Sequence, residues 1–189
     1  MTEVKILIQG WTNADSVEKG EEENDACTTS LVLAGENKIV VDPGVLNDQQ
    51  ILVDALAKEG LAIKDITHIF ITHSHIDHYR NVGMFPASTP VVEYWGEWIG
   101  GKPKERPKNI GPDIEIIKTP GHSYDGLSML VKTEIGTTAI VGDVFWKENF
   151  PAKDPYAIDI ERLAESREKV LELADYIIPG HGGIYKVKG

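Results

Sequence analysis

"THSHIDHYR", Thr72–Arg80, places three histidines and an aspartate within six positions, directly after the apolar run "IFI" (Ile69–Ile71). An apolar strand that ends in so many metal-binding side chains is the feature from which the fold can be read. In extended chain the side chains at i and i+2 point the same way, so His73 and His75 suit one ion. Asp77 and His78 lie beyond and can turn toward a second. Three other places repeat the pattern of an apolar run that ends in a ligand type. They are "IEIIKTPGH" ending at His122, "TAIVGD" ending at Asp143 and "YIIPGH" ending at His181. A glycine just before each of these residues lets the backbone turn sharply. Strand ends along one edge of a sheet sandwich lie close in space, so the four places are expected to converge on one pocket.

Five of the chain's six histidines fall in this set, and Asp77 and Asp143 bring it to seven side chains. Zinc usually takes four ligands, with imidazole nitrogen and carboxylate oxygen among its donors. Seven donors exceed one tetrahedral shell and suit two ions, with one carboxylate bridging and a water completing both shells. His68 sits inside its strand and reads as structural or as a support for the ligands.

Outward from this stretch, short β-rich runs alternate with turns and helical segments. "VKILIQG" (Val4–Gly10), "SLVLAG" (Ser30–Gly35) and "KIVVDPG" (Lys38–Gly44) read as early strands, with a hairpin turn at "GEN". "NADSVEKGEEENDA" reads as an acidic surface loop with a disordered tip. Asp48 is placed to cap a helix over Gln49–Glu59, with Ile51, Leu52, Ala55 and Leu56 on one face and Gly60 as its stop. "ITHIFIT", "TPVVEYW", Asp113–Thr119, Leu127–Thr133 and Thr137–Asp143 read as further strands. A long helix is expected over Asp159–Ala174, with Leu163, Val170, Leu171 and Ala174 as its apolar stripe. Tyr176–Gly180 reads as the last strand. The Pro/Gly/Lys-rich segment Gly100–Pro112 reads as an irregular loop. The pattern suggests two sheets face to face with helices outside, in a single domain over residues 1–189.

Length and composition agree with a globular chain. Of 189 residues, 41% are hydrophobic and 26% charged, enough apolar material for a core without disulfides. Cys27 is the single cysteine, which excludes an intrachain disulfide and suits a reducing compartment. No apolar run approaches a bilayer span, and the N-terminus does not read as a signal peptide. A soluble cytoplasmic protein without membrane partners is expected. The net charge of −11 argues against a grip on duplex nucleic acid. A small or single-stranded anionic substrate drawn to a local positive site remains compatible, because two divalent ions would add about +4 to the pocket.

"HSHIDH" followed by "PGH", "GD" and "PGHG" resembles the metallo-β-lactamase fold superfamily of binuclear metal hydrolases, over nearly the whole chain. "VDPG" (Val41–Gly44) and "GDVF" (Gly142–Phe145) are similar to that fold's early turn and bridging-aspartate strand. More narrowly, "ILIQGW", "NVGMFP" and "ESREKVLELADYIIPGHG" resemble the family of metallo-β-lactamase domain-containing protein 1. The resemblance implies an α+β, four-layer αββα sandwich with the metal site at one edge. It implies that His73, His75 and His122 hold a first ion, that Asp77, His78 and His181 hold a second, and that Asp143 bridges them. Asp143 sets the chain apart from the antibiotic hydrolases, which usually lack it. His75 stands where the flavodiiron oxygen reductases carry Glu. Tyr79 and Arg80 depart from the small residues common after the cluster and are expected to narrow the pocket.

Two close divalent ions bring a shared water toward neutral pKa, and the resulting hydroxide is the expected nucleophile. Asp77 is the catalytic candidate, orienting that water or accepting its proton. Tyr79, Arg80, Ser123, Tyr124, Asp125, Trp146 and Lys147 are weaker candidates for substrate contact. Lys102, Lys104, Arg106 and Lys108 form a basic stretch that could guide an anion at the pocket mouth. The expected activity is hydrolysis of an ester-type bond, with a slight preference for a phosphodiester such as single-stranded RNA. That preference draws on the basic stretch and on the RNA cleavage the narrower resemblance implies. Hydrolysis of a small thioester, carboxylic ester or lactone is the first alternative, and an iron-dependent persulfide dioxygenase the second. Zinc is the metal expected first; manganese and iron fit the same donors. The oligomeric state is open, with a homodimer among the options.

Overall fold

The structure is a computed structural model that describes residues 2–16 and 22–187, so the tip of the acidic loop lies outside the described residues. β1 (Thr2–Ile8) is followed by two short strands, β2 (Trp11–Thr12) and β3 (Asp25–Ala26), which pair at the base of that loop. β4 (Thr29–Ala34) and β5 (Asn37–Val41) form the expected hairpin, turning at Gly35, whose φ is +63°. α1 (Gln50–Lys58) and β6 (His68–Phe70) come next, then the single-turn α2 (Ile76–Tyr79), which carries Asp77 and His78. β7 (Val91–Glu93), β8 (Gly96–Ile99) and β9 (Lys102–Lys104) complete the first sheet, in the order β1-β4-β5-β6-β7-β8-β9. The second sheet is built from β10 (Ile114–Lys118), β11 (Leu127–Thr133), β12 (Gly136–Ile140), β13 (Tyr176–Ile178) and β14 (Tyr185–Lys186), in that order. α3 (Ile160–Leu173) lies between β12 and β13 in sequence.

Alternation along the strands explains the layers. Val32, Ile39, Val41 and Phe70 of one sheet meet Ile114, Ile116, Met129, Val131 and Ile140 of the other in a shared core. The opposite face of the first sheet, with Leu31, Val40 and Ile69, is covered by Leu52 and Leu56 of α1. The opposite face of the second sheet, with Ile117, Leu130, Ala139 and Ile177, is covered by Leu163 and Val170 of α3. Both sheets are thus apolar on both faces, which gives the αββα order. α3 starts at an Asp159 cap, whose Oδ1 accepts the Arg162 N–H at 3.0 Å.

Four expectations change. Ile51 and Leu171 do not belong to the buried stripes of their helices; both are exposed, at the margin of the contact. Gly100–Pro112 is not wholly irregular, because Lys102–Lys104 pairs with β8 and Asn109 bridges to Glu115. Backbone hydrogen bonding to an open sheet edge outweighs the weak strand preference of "KPK", and an edge is where proline is tolerated. Tyr176–Ile178 is not the last strand, since β14 returns beside it after His181. No described helix is long and apolar enough to cross a membrane.

Candidate metal centre

Four loops at one end of the sandwich bring the seven expected side chains together. β6 runs out through Thr72 into His73 and His75, and α2 follows with Asp77 and His78. His122 stands between β10 and β11, Asp143 after β12, and His181 between β13 and β14. The ligand atoms of His73, His75, His122 and Asp143 all lie within 4.8 Å of one another. Those of Asp77, His78 and His181 form a second such group. Asp143 stands between the two. Its Oδ1 is 3.3 Å from His78 Nε2 and 3.2 Å from His181 Nε2, and its Oδ2 is 3.3 Å from His122 Nε2.

Two glycines make this approach possible. Gly142 has φ +53°, and a Cβ there would stand 2.4 Å from Thr72 Oγ1. A Cβ on Gly180 would stand 1.9 Å from Asp143 Oδ1, inside any permitted contact.

Outer hydrogen bonds fix which ring nitrogen faces the cluster. Asp42 is buried, with φ +47°, and accepts from Thr72 N–H at 2.8 Å and Thr72 Oγ1–H at 2.6 Å. It also lies 2.8 Å from His78 Nδ1, which donates to it. With the Thr72 hydroxyl proton committed to Asp42, the hydroxyl oxygen accepts from His73 Nδ1 at 3.1 Å. His122 Nδ1 donates to Asp154 at 2.7 Å and His181 Nδ1 to the Ala26 carbonyl at 3.1 Å. All four rings therefore turn Nε2 inward, the arrangement in which an outer partner orients a metal-binding histidine. His73 Nε2, His78 Nε2 and Asp143 Oδ1 are buried without hydrogen-bond partners among the described residues. Such atoms are costly to leave unmatched, and a cation supplies what they lack. The residues fit a divalent metal centre.

Electrostatics separate the two groups. Burial pushes the His73 ring well below its usual range, and the neighbouring His78 adds to this. His75 is lowered in the same way, by burial and by His122. Burial also acts to lower His78 and His181, but Asp143 together with Asp42 at His78 and with Asp25 at His181 raises both. Burial acts to raise Asp143 itself, yet His181 and His78 hold it well below the carboxylate range.

A cavity of about 410 Å³ opens over the cluster. His75, Asp77, His122, Asp143 and His181 form its floor, and Glu23, Asp25, Trp146 and Tyr156 its walls. Trp146 and Tyr156 stack at 5.7 Å, and Tyr156 OH donates to Glu23 at 2.9 Å. Of the weaker candidates, Trp146 lines this cavity and the other six do not. Tyr79 borders a different pocket and Tyr124 a third. Arg80 is exposed, Ser123 is buried, and Lys147 Nζ is held by Asp15 at 2.5 Å. The basic stretch also lies outside the cavity lining: Lys102 and Lys104 sit on the outermost strand β9, and Lys104 faces Glu97 at 4.0 Å.

Sequence reasoning missed Asp42 as the orienting carboxylate, although "VDPG" marked its turn. It also missed Asp154, Glu23, Asp25 and Tyr156, whose loops carry no local signal.

Residues 23–112 match the metallo-beta-lactamase superfamily. Metallo-beta-lactamase domain-containing protein 1 of Xenopus laevis is 32% identical, over 97% of this chain and 81% of its own. The chain belongs to the metallo-beta-lactamase superfamily. It is a metallo-hydrolase of that superfamily, and a probable metallo-hydrolase of Methanocaldococcus jannaschii is also 32% identical, over 79% of this chain and 74% of its own. Among solved structures, an N-acyl homoserine lactone hydrolase with its product N-hexanoyl-L-homoserine at the catalytic metal centre has the same fold. The TM-score is 0.70 at 20% identity, covering 95% of this chain and 92% of that one.

Proposed function

We propose that this metallo-hydrolase cleaves a small ester-type bond, with a lactone or other uncharged acyl ester as the best-fitting substrate class. One observation carries the reading: seven donor atoms, four of them imidazole Nε2 atoms turned inward by outer hydrogen bonds, converge in two groups around Asp143. His73, His75 and His122 would hold one divalent ion, Asp77, His78 and His181 a second, and Asp143 would lie between them. Zinc suits this donor set first. Bound ions would supply an activated water and polarise the substrate oxygen.

The chain's own residues do the rest. Asp42 and Asp154 hold the imidazoles in the metal-ready tautomer. Asp77, at 22% side-chain exposure, reaches the cavity floor and can orient a water or take its proton. The Trp146–Tyr156 pair offers a flat wall for an apolar group and shields one side of the floor from solvent.

Charge favours an uncharged substrate. Among the described residues, Glu23, Asp25, Asp77 and Asp143 line the cavity and no lysine or arginine does. Four carboxylates would roughly balance the +4 of two divalent ions and leave little net attraction for a polyanion. That the Bacillus cereus N-acyl homoserine lactonase is 26% identical over 72% of this chain and 64% of its own agrees with this class. A phosphodiester is the second reading, supported by the exposed Lys102 and Lys104 on edge strand β9, which could contact a strand longer than the cavity. The deciding experiment offers zinc-loaded protein an acyl lactone, an aryl thioester and labelled single-stranded RNA, with Asp143→Ala in parallel. Lactone or ester turnover that vanishes in the variant is expected. RNA cleavage without ester turnover would replace this reading with the second.

A further inference from the structure

Tyr124 is held in solvent by a buried turn. Its neighbours Ser123 and Asp125 are 7% and 4% exposed, while Tyr124 between them is 60% exposed. The backbone beneath it is fixed: Gly121 N–H donates to the Ser123 carbonyl at 2.9 Å, and Asp125 Oδ2 accepts the Ser74 N–H at 3.0 Å. A large ring presented on rigid backbone is a preorganised stacking surface. Trp95, also exposed, stands 6.5 Å from it.

Tyr124 borders a cavity of about 470 Å³ that shares no lining residue with the cavity over the cluster. α3 contributes Arg162, Glu165 and Lys169 to its wall, at the i, i+3, i+7 spacing of one helical stripe. Lys118, at the end of β10, and Tyr94 line it as well. Three cations against one carboxylate leave a local charge of +2, on a chain whose net charge is −11. Among the described residues neither lysine is paired with a carboxylate. Lys118 Nζ lies 4.6 Å from the centre of the Tyr94 ring, and Lys169 Nζ donates to the Lys118 carbonyl at 3.4 Å. Arg162 Nε is 3.7 Å from Asp159, a solvent-exposed contact that does little to neutralise it. Like charges gathered in one pocket repel until an anion joins them.

We propose that this pocket binds a nucleoside monophosphate, with the base stacked on Tyr124 and the phosphate held by Lys118, Arg162 and Lys169. A phosphate monoester carries about −1.5 to −2 charge near pH 7, which matches the local +2. Arginine and lysine donors suit its oxygens, and an open aromatic ring beside a basic groove is the combination on which bases stack. A nucleoside alone would meet the ring without the cations, and inorganic phosphate the cations without the ring. The site uses none of the seven cluster residues, so it stands or falls apart from the hydrolase reading.

The test titrates isotope-labelled, zinc-loaded protein with adenosine monophosphate at pH 7, following backbone amide shifts. Adenosine and inorganic phosphate serve as the two half-ligands. Saturable shifts are expected at Lys118, Tyr124, Arg162 and Lys169. Each half-ligand should bind about tenfold more weakly, having lost either the charge pairing or the stacking. Tyr124→Ala should weaken the nucleotide about tenfold and leave phosphate unchanged. Lys169→Glu, on the exposed side of α3, should keep the Tm and the metal content while weakening nucleotide and phosphate but not adenosine. The proposal would be overturned by shifts confined to Asp143 and His181 or by none that saturate. It would equally be overturned by a nucleotide that binds no tighter than phosphate, or by unchanged nucleotide affinity in Lys169→Glu.

Discussion

Each histidine of the cluster is defined as much by its outer partner as by its own position. The Asp42 carboxylate accepts three hydrogen bonds and reaches both groups, His78 directly and His73 through Thr72. Asparagine tolerates positive φ but replaces one acceptor with a donor. Asp42→Asn should therefore keep the fold and turn His78 to the other tautomer, lowering affinity for the ion there about 10–100-fold, as such outer-partner changes typically do. Metal content by mass spectrometry, with circular dichroism as the fold control, checks this. At Gly180, an alanine Cβ would collide with Asp143 Oδ1. Gly180→Ala should cut metal content and turnover together, and native metal content in that variant would show that Asp143 does not stand between two ions. His68 lies outside the cluster, on β6, and burial pushes its ring below the usual 6.5, with Glu97 opposing. Its folded pKa is thus depressed. The neutral ring costs nothing above 6.5, and stability is lost as pH falls from 6.5 toward the folded value. His68→Gln should flatten that acid limb of the Tm–pH curve.

The elements differ in how much of their role is local. α3 combines a capped start with a buried stripe, and its Leu163 is 2% exposed in the outer core. Leu163→Ala should cost about 2–5 kcal/mol, read by urea denaturation. Asp159→Ala should cost about 1 kcal/mol by loss of the cap. β9 and β14 are the opposite case. Neither has a hydrophobic pattern of its own, and each exists because a neighbouring strand offers unpaired backbone groups. β11 was readable to the residue, since "LSMLVKT" holds Leu, Met, Leu and Val broken by one serine, as suits a strand whose first five residues are buried.

At the scale of the molecule, the His/Asp cluster draws on loops from both sheets: His73 to His78 follow strand β6 of the first, and His122, Asp143 and His181 follow strands of the second. Ions bound there would clamp the sandwich at its open end. Chelation should then lower the Tm, by an amount that reflects about 4 kcal/mol when free metal stands 1,000-fold above its Kd. An unchanged Tm after complete metal removal would mean that the end is held by protein contacts alone.

The sequence by itself marked the histidine- and aspartate-bearing strand ends and the layering, because strand alternation, helical periodicity and the spacing within "HSHIDH" are local properties of the chain, and the resemblance of its motifs marked the family. Only the tertiary structure decided what surrounds the cluster. Asp42 and Asp154 lie 36 and 32 residues from the histidines they orient, and no periodicity links them. The acidic wall of Glu23 and Asp25, the Tyr156 stack and the removal of the basic stretch to an outer edge likewise depend on which loops meet. Ligand type is written in residue identity; the charge and shape that choose a substrate come from contacts between distant segments.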